Sequence, residues 1–150
     1  MDGLTRRTVT CALLSLSIAM GAGHFSAALT DDTRLAIKGY DPVAYFEQGK
    51  PSLGLAEIEY VWDEHRYRFS RPEHRELFKA NPARFVPQFT NYCAMALARG
   101  IVKDANPEYW LISEGRLFLF SMAAGSSNFQ ESLAENHGKA SLKHAEIPKR

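Results

Sequence analysis

Hydrophobic and polar residues alternate with a period of two between residues 57 and 70. Ile58, Tyr60 and Trp62 fall on one face and Glu57, Glu59 and Val61 on the other, and beyond Asp63-Glu64-His65 the alternation resumes with Tyr67 and Phe69 against Arg66 and Arg68. This spacing predicts a β-hairpin with its turn at 63–65. Ser70-Arg71-Pro72-Glu73 follows with the spacing of a capping box, which predicts a helix through Ala80 stopped by Asn81-Pro82. From Asn91 to Gly100 the residues are good helix formers, apolar on nearly every side, so a buried helix ending at Gly100 is expected. Tyr109–Ile112 and Leu117–Phe120 flank a Glu114-Gly115 turn and form a second hairpin, apolar on both faces and therefore expected to be covered on both. Upstream, Asp41-Pro42 before Val43–Phe46 predicts a short capped helix closed by Gly49. Ser127–Gln130 opens a last helix ending near Gly138, and from Lys139 a polar, peripheral tail is expected. The elements sum to an α+β domain: a small antiparallel sheet of two hairpins with several short helices packed around it.

The first 28 residues follow a different pattern. Thr5-Arg6-Arg7-Thr8-Val9-Thr10 leads into a mildly apolar run from Cys11 to Ala22, and Ser26-Ala27-Ala28 supplies small residues at a cleavage position. A cationic start, an apolar stretch of about 7–15 residues and a small-residue exit mark a cleavable export signal over 1–28. The paired arginines are similar to a twin-arginine signal, with Val9 and Thr10 where a more hydrophobic pair is usual. The run is too short to span a bilayer, which takes roughly 20 apolar residues. The expectation is one mature domain, 29–150, in the periplasm of a Gram-negative-type bacterium.

Charge narrows the choice of partners. Cleavage after Ala28 removes two of the 18 Lys and Arg and one of the 17 Asp and Glu, leaving 16 of each. A balanced surface argues against nucleic acid or anionic lipid as a partner. Of the two cysteines, Cys11 lies in the expected signal, so the mature domain keeps Cys93 alone and has no intrachain disulfide. In an oxidising compartment such a thiol is either buried or chemically engaged.

Gly39-Tyr40-Asp41-Pro42-Val43-Ala44-Tyr45-Phe46, then Tyr67-Arg68-Phe69-Ser70, Phe78, Asn81-Pro82, Phe85 and Pro87 occur in an order that resembles the YHS-domain proteins. Tyr92-Cys93-Ala94, Pro107, Trp110 and Gly115-Arg116-Leu117-Phe118-Leu119 continue the resemblance, which covers residues 36–120 and points to the stand-alone exported branch of that family. It implies a metal-binding role, because YHS domains also occur within metal-transporting ATPases and multicomponent hydroxylases. The chain departs from the family where Thr90-Asn91 replaces a Gly-Gly pair. Glycines there would allow positive φ, which Asn tolerates and Thr does not.

Cys93 is the principal candidate for chemistry. Near a helix start, its thiolate would meet unpaired backbone amides, a setting for a soft-metal ligand or a reactive thiol. The plainer alternative is a small buried hydrophobe. Met95 could join Cys93 around copper(I), as could Met122, although two residues along a helix would send Met95 to another side. His65 could serve as a ligand if the first hairpin turn folds toward Cys93; otherwise it is an exposed turn histidine. His74 is expected on the exposed side of its helix, and His137 and His144 near the C-terminus are weaker candidates still. No Cys-x-x-Cys or other zinc-type pairing occurs, so copper or another transition metal at a low-coordinate, shared or ligand-completed site is the cofactor implied. Tyr40, Asp41, Tyr45 and Tyr92 are candidate pocket walls singled out by the family motif. No catalytic constellation is recognisable. Three readings follow: a binding or accessory protein for a metal or small ligand centred on Cys93, with a membrane or periplasmic protein as partner; a structural interaction module with Cys93 in its core; and a single-thiol redox partner.

Overall fold

A computed structural model describes residues 34–149. The expected export signal, including Cys11 and the cleavage position, lies outside the described residues. The fold is α+β, and each expected hairpin forms a sheet of its own. β1 (Arg34–Leu35) pairs in parallel with β3 (His65–Phe69), whose other edge pairs antiparallel with β2 (Leu55–Trp62). β4 (Asn106–Ser113) and β5 (Arg116–Phe120) form the second, two-stranded sheet. In the first hairpin Tyr60 faces Tyr67 and Trp62 pairs with His65. The turn is thus Asp63-Glu64, one residue shorter than expected, and His65 is the first residue of a strand. Tyr67 and Phe69 are buried, with Ile58, Tyr60 and Trp62 packed beside them, as the alternation predicts.

β5 carries the architecture. Leu117 and Leu119 point into one core with Tyr45, Tyr67, Phe69 and Phe78. Phe118 and Phe120 point into a second core with Phe89, Cys93, Leu97 and Phe129. Successive strand residues face opposite ways, so a strand apolar on both faces serves two cores at once. All four side chains are 2% exposed or less.

The helices follow from local chemistry with several departures. α1 (Ala44–Glu47) begins where Asp41 Oδ1 accepts the amides of Val43 and Ala44, at 2.9 and 3.3 Å. It ends before Gly49, which takes φ +65°. α2 (Pro72–Ala80) starts with Pro72 in its first turn, but no side chain caps it. Ser70 does not form the capping box: its amide (2.8 Å) and hydroxyl (2.7 Å) both donate to Asp41 Oδ2. His74 is not exposed either. It is 4% exposed, and its Nδ1 hydrogen-bonds the same Oδ2 at 2.6 Å. The buried carboxylate of Asp41 outcompeted solvent for both side chains, because a buried charge needs every available partner.

Pro82 stops α2 and opens the one-turn α3 (Pro82–Phe85) inside the segment expected as loop. α4 is shorter than expected, spanning Ala94–Ala98, and Gly100 (φ +76°) lies just beyond it. The C-terminal region departs most. α5 (Ala124–Glu131) starts three residues before Ser127, and α6 (Leu133–Ala145) runs through Gly138. Lys139 to Ala145 is therefore helix, with Ala140 fully buried in the second core. Gly138 has open space around it, so it costs the helix only its intrinsic propensity, about 1 kcal/mol.

Replacing Asp41 with Ala leaves five donors without their acceptor. We predict a loss of about 3 kcal/mol or more in unfolding free energy by urea titration. Glu47→Ala, on the exposed end of α1, should change it by less than about 0.5 kcal/mol. Thr90 takes φ +47°, the left-handed conformation that Thr was expected not to tolerate. Thr90→Gly should therefore raise stability, by about 0.5–1 kcal/mol after the added chain entropy of glycine.

Candidate functional site

The Asn91–Cys93 segment runs extended against 103–105. Cys93 N–H donates to Lys103 O and Ala105 N–H to Asn91 O, both at 2.8 Å. Because neighbouring residues of an extended segment face opposite ways, Tyr92 and Cys93 look onto different cavities. Asn91 anchors the segment from behind: its Oδ1 accepts Ile37 N–H at 2.6 Å and its Nδ2 donates to Leu35 O at 3.3 Å.

Cys93 is the N-cap of α4. Its backbone is extended (φ −71°, ψ 114°), and Sγ accepts the Ala96 amide at 3.4 Å. Because it stands before the helix rather than in it, the helical spacing that would separate it from Met95 does not apply. Cys93, Met95 and Met122 all line one cavity of about 150 Å³, with Ser121 between strand and helix and Arg99 and Lys103 also on its wall. The cysteine is 2% exposed and unpaired, while Met122 is 55% exposed.

The other candidates separate from this cavity. His65 does not fold toward Cys93; it lines a different cavity with Tyr92 and His144, because it belongs to β3 rather than to a free turn. Of the four expected pocket walls, Tyr92 alone lines these cavities, and it lines three of them. Tyr40 is a brace, its hydroxyl donating to Glu108 Oε1 at 2.6 Å, a bond that pushes its pKa up. Tyr45 donates to Pro107 O at 2.9 Å, and burial raises its pKa well above the ordinary phenol value. Asp41 is the structural centre described above. Among the described residues, no three His, Cys, Asp or Glu side chains form a group that could hold a metal ion.

Two histidines that sequence reasoning ranked low bear on the second core. His137 and His144 lie on α6 with Ala140 between them, at a spacing that puts all three on one helix face. His137 packs on Phe89 and Phe118, and His144 on Phe89 and Tyr92. Burial lowers both pKa values, and nearby Arg116 (for His137) and Lys149 (for His144) lower them further; Glu114 opposes this at His137. Burial likewise lowers His65, helped by Arg34 and His144 against Asp63 and Glu64. The i, i+3, i+7 spacing of His137, Ala140 and His144 was the signal that could have revealed this face.

No family model, curated protein or solved structure matches the chain. Among the described residues, no helix is long and apolar enough to cross a membrane.

The histidines set a pH dependence with a definite sign. Each is harder to protonate folded than unfolded, so their contribution to stability is intact above about 6.5 and declines as pH falls below it. Glu76 and Glu135, held low by hydrogen bonds to Lys79 and Lys139, lose their contributions only below 4.5, which separates the two windows. We predict that the melting temperature falls between pH 7.5 and 5.5. The His137→Gln, His144→Gln double variant should show a clearly shallower fall over the same range by circular dichroism.

Proposed function

We propose that the protein is an exported binding protein of YHS type, acting in the periplasm, whose cavity at Cys93 takes copper(I) or a similarly thiophilic ion. The observation that carries this reading is the shared cavity of Cys93, Met95 and Met122. Thiolate and thioether are the donors a soft monovalent ion selects, and copper(I) accepts two or three of them without the four-ligand set that zinc needs. A copper(I)–thiolate unit has no net charge, so Arg99 and Lys103 on the cavity wall oppose it only weakly. Met122, on the exposed side, provides a path from solvent. Export of the domain through a twin-arginine route would fit loading before translocation.

A second reading rests on a separate observation. Cys93 is buried and its sulfur already caps α4, which suits a structural cysteine in an interaction module. Native mass spectrometry under anaerobic, reducing conditions separates the two. The binding reading expects one copper(I) per chain, lost in Cys93→Ser and weakened about tenfold or more in Met122→Leu, with zinc(II) not retained. Equal retention by the wild type and Cys93→Ser, or no retention by either, would leave the structural reading in its place.

A further inference from the structure

Arg34 and Tyr92 line three cavities, none of which Cys93 lines. The best enclosed of them, about 210 Å³, has an apolar wall that includes Leu35, Ile37 and Leu119. Arg34 and Lys38 also line it, and so does Asp104. Among the described residues none of these three charges forms an ion pair, and the Tyr92 hydroxyl has no hydrogen-bond partner. Charges of both signs thus line one small chamber without satisfying each other.

The backbone around this chamber is held in an unfavourable form. Ile37 (φ 49°) and Lys38 (φ 51°) are consecutive left-handed residues, and Thr90 (φ 47°) stands next to Asn91, whose amide fixes Ile37 N–H. Two of the three are β-branched, for which this region is most costly. Strain of this sort persists where the surrounding structure over-determines it and is concentrated at binding sites.

We propose that this chamber binds a small apolar amino acid or a similar zwitterion, at a site independent of Cys93. The carboxylate meets Arg34 and Lys38, the ammonium meets Asp104, and the short hydrocarbon body lies on Leu35, Ile37 and Leu119. Arg is suited to the carboxylate because its planar fork donates two parallel hydrogen bonds. The volume is below that of sites for drug-sized molecules, so the ligand is small. The Tyr92 hydroxyl adds one donor at the carboxylate end.

The test uses the full chain and three probes that share one branched skeleton: leucine, 4-methylpentanoate and 3-methylbutylamine. Binding is followed by chemical-shift changes in two-dimensional NMR, with the cavity residues as reporters. The expected order is leucine tightest, with each single-charge analogue weaker by about tenfold. Arg34→Gln should weaken leucine by about tenfold, and Asp104→Asn should bring leucine down to the level of 4-methylpentanoate. Both substitutions are at exposed positions, and unchanged far-ultraviolet circular dichroism confirms that the variants fold. Failure of leucine to shift the cavity resonances at 20 mM would overturn the proposal. Equal binding of leucine and 4-methylpentanoate by the wild type would overturn it too, as would leucine binding unaffected by Arg34→Gln. Cys93→Ser should bind leucine as the wild type does; loss of binding in that variant would overturn the independence of the two sites.

Discussion

The carboxylate of Asp41 is the interaction on which the first half of the fold depends. One oxygen starts α1 and the other gathers Ser70 and His74, which lie 29 and 33 residues further along. A fully buried carboxylate is tolerable only when it is surrounded by donors, and five of them converge here. The requirement runs in both directions. The end of β3 has to sit beside the start of α1, and α2 has to present His74 inward, which also brings Phe78 onto Tyr67 and Phe69. The first core is therefore aligned by a polar tie and filled by aromatic rings around it.

The second core depends on the first through β5. Its alternating residues hand two side chains to each, and the extended segment before α4 repeats the device on a smaller scale with Tyr92 and Cys93. Candidate chemistry is divided accordingly. The sulfur atoms of Cys93, Met95 and Met122 collect at the second core, whereas Arg34, Lys38, Asp104 and the left-handed backbone of Ile37 and Lys38 collect at the edge of the first. α6 covers this core with Leu133 and Ala140 and with the imidazoles of His137 and His144.

Much of the fold was legible in the sequence because it is written in short-range patterns. Period-two alternation located the first hairpin, and a Glu-Gly turn between two apolar runs located the second, whose expected double burial holds for β5 but not for Tyr109 of β4. What was illegible depended on partners distant in the chain. Nothing near His74 reports that a carboxylate 33 residues upstream will draw it inward, and the same carboxylate took Ser70 away from its capping role. Gly138 read as a helix end because glycine is a poor helix former, whereas burial of Ala140 outweighs that modest cost. At the site, the sequence offered Cys93, Met95 and Met122 as sulfur donors, but not that all three line one cavity, which arises only in the folded chain. Helical spacing argued against pairing Met95 with Cys93, and that argument does not hold for a residue standing at the cap.

The division of β5 between two cores also governs how the molecule comes apart. A domain built from two separately packed cores can lose one and keep the other. Here neither core can open without stripping one face of a strand that the other core needs, so the two are expected to melt together. Amide protons of Leu117 to Phe120 are therefore expected to exchange through that global event and to be the slowest among the described residues.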